Sequence, residues 1–540
     1  MPHITTRHSR PRRGVHRMDG RNRMNVMIIV FVVMALLVIA GFLILYSYGR
    51  FAARARGPNS NALPVEEDHT ILDRAIGTLT SFHEGESGLA LLSQNMQALA
   101  YRALAARSAG RSLDLMYYYW NDDLTGKLLF HEVLAAADRG VRVRILLDDM
   151  NTLGRDPIYR AIDQHSNIEL RLFNPARSRG DVLRRGIELL LRAFSATRRM
   201  HNKAWIADGR LAIVGGRNIG DEYFDASQEA NFRDMDLLMV GPAVQQTEQI
   251  FDTYWNSAAA LPVRRLLKRT RRLARVRKRL ARFLARKANS PYLQKLREIH
   301  DPSAMLAGGP EFHWCSDVEV VADPPGKVVG RGNAEWLQQE IFPMMMAAEA
   351  SLHIISPYFI PGHEGVDQLA SLAKSGVDVK VSTNSLAATD VVAVHGCYSR
   401  YRMKLLSEGV KLYELRPQIR WGDHPSLFGS SNASLHTKAY VVDGLCGFIG
   451  SFNFDPRSMS LNTEMGVLFR HAPLAREVDQ VFARQITSSE SYRVTLEGNA
   501  IVWHDGEGSS VRTWRQEPEA KWLRRLSALV IGWLPIESQL

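Results

Sequence analysis

From residue 70 onward the apolar positions of the chain alternate between strand-like runs and helix-like spacing, in an order that occurs twice. RSLDLMYYYW (111–120) reads as an apolar strand, FHEVLAAADRG (130–140) as a helix closed by glycine, and VRVRILLDD (141–149) as a second strand. The same order returns in ASLHIISPYFIP (350–361), VDQLASLAKSG (366–376) and VDVKVSTN (377–384). Strand, helix, glycine, strand is the pattern of a parallel βαβ unit. The step from Ser112 to Gly140 is matched by that from Ser351 to Gly376, so an internal duplication is expected, with α/β halves at 70–260 and 301–495.

Before the first half, VMIIVFVVMALLVIAGFLILY (Val26–Tyr46) runs for 21 residues without a charge. That length spans about 30 Å of hydrocarbon as a helix. It exceeds the roughly 7–15 apolar residues of a signal peptide, and no A-x-A site follows closely. A basic tail (1–24), a transmembrane helix (25–48) and a polar linker (49–69) are therefore expected. Arg7, Arg10, Arg12, Arg13, Arg17, Arg21 and Arg23 precede the span, whereas Arg50, Arg54 and Arg56 follow it. That bias predicts a single-pass protein of the inner (plasma) membrane with a cytoplasmic N-terminus and the bulk of the chain on the periplasmic or exterior side.

Between the halves, in an insert at 261–300, RRLLKRTRRLARVRKRLARFLARK (264–287) places 13 basic residues among 24, with Leu266, Leu273, Leu280 and Leu284 near helical spacing. A basic amphipathic helix on an anionic membrane surface fits this pattern, and a solvated basic linker is the alternative. Phe283 is the one aromatic residue in this stretch, too few for base stacking, so nucleic acid is not expected as a partner. VLRRGIELLLRAF (182–194) and WLRRLSALVIGWLPI (522–536) read either as interfacial or as core helices, and 496–540 is assigned as a membrane-interfacial segment. The net charge of +12 favours anionic partners without choosing among them. Cys315, Cys397 and Cys446 lie far apart and imply neither disulfide framework nor metal cluster.

The chemistry concentrates in a doubled motif: HNKAWIADGRLAIVGGRN from His201 and HTKAYVVDGLCGFIGSFN from His436. Each reads His-x-Lys-x4-Asp-Gly and then Gly-x-x-Asn or Gly-Ser-x-Asn. Residues i and i+2 of a strand share a face, so His201 projects with Lys203 and His436 with Lys438. Asp208-Gly209 and Asp443-Gly444 read as tight hairpin turns. A two-residue turn sets His201 across from Gly216 and His436 across from Ser451, beside Asn218 and Asn453 respectively. Asp208 and Asp443 complete the motif and are counted with its catalytic residues, yet seven extended residues hold Asp208 roughly 23 Å from His201, too far to orient that ring. Asp234, with Asp236 as a competitor, and Glu464 are better placed to hold the imidazoles in one tautomer.

These motifs, with YYYWNDDLTGKLLF, GGRNIGDEYF, VHGCYSRYR, FNFDPRS and the terminal LPIESQL, resemble the phospholipase D superfamily and, within it, the bacterial cardiolipin synthases with a single N-terminal membrane helix. The likeness covers nearly everything from residue 70 to 540. It implies two pseudo-symmetric halves of mixed sheet and flanking helices sharing one site, with no metal or other cofactor. It also implies that one histidine forms a phosphohistidine and the other protonates the leaving alcohol. Lys203, Lys438, Asn218, Ser451 and Asn453 would hold the phosphate. The implied reaction joins a phosphatidyl group to phosphatidylglycerol, with phosphatidylethanolamine as a possible second substrate, and hydrolysis of phospholipid or nucleic acid is the alternative.

Overall fold

The structure is a computed structural model that describes residues 20–152, 155–177, 179, 197–267, 272–299, 310–330, 336–417, 433–506 and 511–540, without several side chains between 20 and 45. The stretch 182–194, the first 19 residues and part of the basic insert lie outside the described residues. Helix α1 (Gly20–Ala55) carries the apolar run, and many of its described side chains, among them Met27, Phe31 and Leu43, are exposed. Among the described residues, no helix is long and apolar enough to cross a membrane.

In the first half, the strands are β1 (Ser87–Leu92), β2 (Ser112–Tyr117), β3 (Arg142–Asp148), β4 (Ile168–Phe173), β5 (Ala204–Ala207), β6 (Leu211–Gly215), β7 (Asn231–Arg233), β8 (Asp236–Val240) and β9 (Ala260–Pro262). The chain continues through β10 (His313–Cys315), β11 (Val318–Ala322), β12 (Ser351–Ile355), β13 (Asp378–Asn384), β14 (Lys411–Leu415), β15 (Ala433–Leu435), β16 (Ala439–Val442), β17 (Cys446–Gly450), β18 (Met465–Arg470), β19 (Ser491–Glu497), β20 (Ala500–Asp505) and β21 (Arg512–Trp514). One sheet runs β10-β1-β8-β6-β5-β2-β3-β4-β9 and the other β11-β18-β17-β16-β12-β13-β14-β19-β20-β21. Apart from the added edge strands the two orders are the same, β1 answering to β11 and β9 to β19.

The duplicated βαβ unit appears as parallel pairing of β2 with β3 and of β12 with β13, the crossover helices being α2 (Leu124–Asp138) and α4 (Gly362–Lys374), with α3 (Leu273–Lys287) between the halves. Edges depart from the expected boundaries. β10 joins the first sheet although it follows the insert, and β20 and β21 carry the second sheet past residue 495. A contiguous apolar core joins the halves: Met200, Ala204, Ile206 and Leu237 of one pack with Val441, Ile449, Val467 and Phe469 of the other.

Both hairpins turn through three residues, because Ala207 pairs with Leu211 and Val442 with Cys446. Asp208 and Gly209, like Asp443 and Gly444, adopt positive φ. The extra residue moves the register by one from that of a two-residue turn, so neither His201 with Gly216 nor His436 with Ser451 forms a ladder pair.

Candidate active site

Each histidine motif leaves its own hairpin and pairs with the opposite half. β15 runs parallel to β7 with Leu435 against Arg233, and the backbone N–H groups of His436 and Thr437 donate to the Arg233 carbonyl. Met200 bridges Thr463, and the His201 N–H donates to the Thr463 carbonyl. One residue further along each ribbon, His436 meets Asp234 and His201 meets Glu464. The resulting contacts are His436 Nδ1 to Asp234 Oδ2 at 2.6 Å and His201 Nδ1 to Glu464 Oε2 at 2.7 Å. The two carboxylates thus serve imidazoles of the other half. Asp236, the competitor, instead binds the buried guanidinium groups of Arg102 and Arg217.

Around these pairs the cluster is buried. His201 and His436 are 9% and 7% exposed, and Lys203, Lys438 and Asn218 are each 1% exposed. Lys203 Nζ donates to the His201 carbonyl at 2.5 Å, and Lys438 Nζ does the same to His436. The amide oxygens of Asn218 and Asn453 are buried without a partner among the described residues. A half-turn of either amide presents its N–H groups in place of that oxygen.

Burial, reinforced by Lys203 and opposed by Glu464, pushes the His201 imidazole down to about 4. His436 is driven well below its ordinary value by burial, then by Lys438 and Lys203. Both rings are therefore neutral at pH 7, and the Nδ1–H donated to the carboxylate leaves a lone pair on Nε2. Burial lowers Lys203 to about 7 and Lys438 to about 8. Asp234 is raised by burial against the pull of Lys438 and Arg217. For Glu464 the balance is opposite: burial pushes it up, but His201, Lys203 and Ser451 outweigh this and hold it below the usual glutamate value.

Ser451 corrects an expectation. Its hydroxyl donates to Glu464 Oε2 at 2.5 Å and receives the Met465 N–H at 3.0 Å, so it supports the carboxylate rather than a phosphate. Ser458 donates to the other Glu464 oxygen at 3.0 Å. Asp208 and Asp443 stand apart from the cluster, contrary to their inclusion with the motif's reactive groups. Asp208 accepts the backbone N–H groups of Gly110, Arg111 and Ser112, and Asp443 those of Glu349, Ala350 and Ser351. Each ties its hairpin turn to the start of the neighbouring parallel strand, β2 or β12.

Three tyrosines went unassigned in the sequence although YYYW and GDEYF contain them. The Tyr118 ring meets His201 edge-on at 5.2 Å, and Tyr223 meets His436 at 5.0 Å. The Tyr223 hydroxyl lies 3.3 Å from His436 Nε2 and 3.0 Å from the Tyr119 hydroxyl, and accepts from Asn218 Nδ2. His201 Nε2 has no such neighbour among the described residues. A cluster with ligand-type side chains, His395, Glu414 and Glu517, lies elsewhere, and Arg402 binds both of its carboxylates.

Two neutral imidazoles, two lysines and buried amides in one cluster suit an anionic tetrahedral centre that exchanges one oxygen substituent for another. Residues 104–255 and 341–486 match the family model described as "Cardiolipin synthase, PLD-like domain". Cardiolipin synthase C of Escherichia coli is 39% identical over 86% of this chain and 99% of its own length. Cardiolipin synthase 1 of Staphylococcus aureus is 26% identical over 71% of this chain and 64% of its own. The fold is shared with the crystal structure of phosphatidylserine synthase from Haemophilus influenzae, at a TM-score of 0.53 and 13% identity, covering 87% of this chain and all of that one. With the doubled motif, the matched strand order and these likenesses together, the chain belongs to the cardiolipin synthase family of phospholipase D-like enzymes.

Proposed function

We propose that this enzyme is a phosphatidyltransferase that forms cardiolipin from phosphatidylglycerol and a second phospholipid. The observation that carries the reading is the crossed pairing of two neutral histidines with carboxylates inside one buried cationic cluster. His201 Nε2 attacks phosphorus; a P–N bond forms as the bond from phosphorus to the headgroup oxygen breaks, and His436 gives that oxygen its proton. His436 then takes a proton from the headgroup hydroxyl of phosphatidylglycerol, whose oxygen attacks phosphorus and breaks the P–N bond. His201 is assigned as nucleophile because its Nε2 is open, whereas Tyr223 occupies that of His436. Lys203, Lys438, Asn218 and Asn453 hold the phosphoryl oxygens as charge develops.

The negative phosphodiester raises the pKa of both imidazoles on binding, so His436 gains its proton with the substrate. Glycerol leaves when phosphatidylglycerol is the donor and ethanolamine when phosphatidylethanolamine is. The 21-residue uncharged stretch of α1 supports a single-pass anchor, and the arginine bias supports a periplasmic or exterior active site. Detergent-purified protein given phosphatidylglycerol, with and without phosphatidylethanolamine, is expected to yield cardiolipin by mass spectrometry. Phosphatidic acid as the sole product would make the enzyme a hydrolase instead.

A further inference from the structure

Outside the catalytic cluster lies a cavity of about 430 Å³, walled by Trp120, Phe130, Leu147, Tyr159, Leu170 and Leu280. Protein interiors pack with few voids larger than a water, and an apolar void of this size stays dry at a cost in stability. The volume falls within the range of about 300–1,000 Å³ typical of sites for small ligands. α3 forms one wall. Its Leu280 is buried against the cavity, Arg277 is tied to Asp138 of α2 at 2.6 Å, and Phe283 lies under the Lys127 ammonium at 4.7 Å. Helix α3 of the basic insert is thus packed on the first half along this face.

The exposed lining residues Asp122, Arg275 and Arg279 mark the mouth. Asp122 is already paired with Lys127 at 2.9 Å. Arg275 and Arg279, one turn apart, have no carboxylate partner among the described residues. Inside, the polar groups are spent: Trp120 Nε1 donates to the Gly126 carbonyl at 2.9 Å, and Arg155 donates to the Trp120 carbonyl and to Asn121 Oδ1. A hydrocarbon-lined chamber with two free guanidinium groups at its lip matches an anionic amphiphile, tail inward and phosphate at the arginines.

We infer that this cavity holds one acyl chain of an anionic phospholipid, with its phosphate on Arg275 and Arg279, as a lipid site beside the catalytic one. Trp120 and Asn121 in its wall directly follow Tyr118 and Tyr119, and Asn121 Nδ2 donates to Glu222, which in turn accepts from Tyr119. The wall of the lipid site and the tyrosines against the histidines are therefore one segment. The inference rests on the reading that the substrates are phospholipids.

The test is photolabelling of the full-length protein in vesicles of phosphatidylglycerol carrying a diazirine at the end of one acyl chain. Labelled peptides are mapped by mass spectrometry, and cardiolipin formation is measured in parallel. Labels are expected on the segments 120–130, 155–162 and 275–280. The double variant Arg275→Glu/Arg279→Glu should cut this labelling by about tenfold or more, the scale of losing a guanidinium–phosphate contact. Arg282→Glu/Arg286→Glu, with equal charge change on the same helix, should leave it standing. Ile158→Trp, which fills the chamber, should also remove the label. Labelling confined to other segments, or an equal fall in both double variants, would overturn the lipid site. Cavity labelling without cardiolipin would keep the site and sink the assigned reaction, whereas cardiolipin made without cavity labelling would do the reverse.

Discussion

The two halves share one strand order and one motif, yet they support their histidine partners with different carboxylates. In the first half the carboxylate is Asp234, and the facing backbone position is Gly216, where a Cβ would come within 2.2 Å of Asp234 Oδ1. In the second half the carboxylate is Glu464, longer by one methylene, and Ser451 fills the corresponding position with a hydroxyl that donates to it. The distances to the imidazoles come out nearly equal, 2.6 and 2.7 Å. A short acid over glycine and a long acid over serine are thus two solutions to one placement. They are not electrostatically equal. Glu464 is held below its ordinary value and gives His201 an ionised partner, which suits a nucleophile. Asp234 is pushed upward and sits closer to neutrality beside His436, which suits a group that passes protons.

The comparison breaks most simply at the rings. His201→Ala and His436→Ala should each lower kcat/KM by roughly 10³-fold or more, since neither the nucleophile nor the proton carrier has a substitute. Near-normal turnover in either variant would remove it from the reaction. Glu464→Gln and Asp234→Asn should follow with losses of about 10²-fold or more as the tautomer is released. In the second half, Glu464→Asp should cost nearly as much by drawing the carboxylate back, and adding Ser451→Gly should recover part of it by recreating the arrangement of the first half. A double variant no better than the single would show that the Asp–Gly and Glu–Ser pairs are not interchangeable solutions.

The pH profile sharpens the electrostatic difference. Because Lys203 and Lys438 are lowered to about 7 and 8, raising the pH through that window discharges them in the free enzyme, and kcat/KM should fall on the alkaline side. Bound phosphodiester favours the charged amines, so the alkaline limb of kcat should lie at higher pH. On the acid side His201 stays neutral down to about 4 rather than 6.5, so nucleophilic competence should persist well below pH 6. A kcat/KM that held steady past pH 9 would contradict the placement of the lysines. The smallest catalytic effect is expected at the hairpin turns. Asp208→Asn weakens three backbone contacts worth about 1–3 kcal/mol together and should lower Tm by a few degrees while changing kcat only a few-fold.

Much of this arrangement was open to inspection in the chain itself. The duplicated βαβ pattern, the shared spacing of the motifs and the distance of Asp208 from the histidines all follow from local periodicity. The histidine-orienting acids were also within reach, since Glu464 and Asp234 stand just before strands that follow the hairpins. What local pattern does not encode is that the acids cross over: the pairings of β7 with β15 and of Met200 with Thr463 join residues 200 or more positions apart. The hairpin register was off by one because Asp-Gly opens a three-residue turn in both halves. The role of Ser451 is hidden in the chain for a related reason, because which way its hydroxyl points depends on the length of the acid across from it. The tyrosines lacked a role because aromatic residues in a strand read equally well as core.

The assignment of roles to the two halves can be read directly from a trapped intermediate. In His436→Asn protein the nucleophile remains while the proton carrier of both steps is lost, so the adduct forms slowly and, with no group to activate the second alcohol, persists once formed. Rapid acid-free quenching after mixing with phosphatidylglycerol, followed by proteolysis and mass spectrometry, should find a phosphatidyl group on the peptide containing His201. The reciprocal His201→Asn protein should carry none. A phosphatidyl adduct on His436 instead, in His201→Asn protein, would contradict the account and reverse the roles of the two halves.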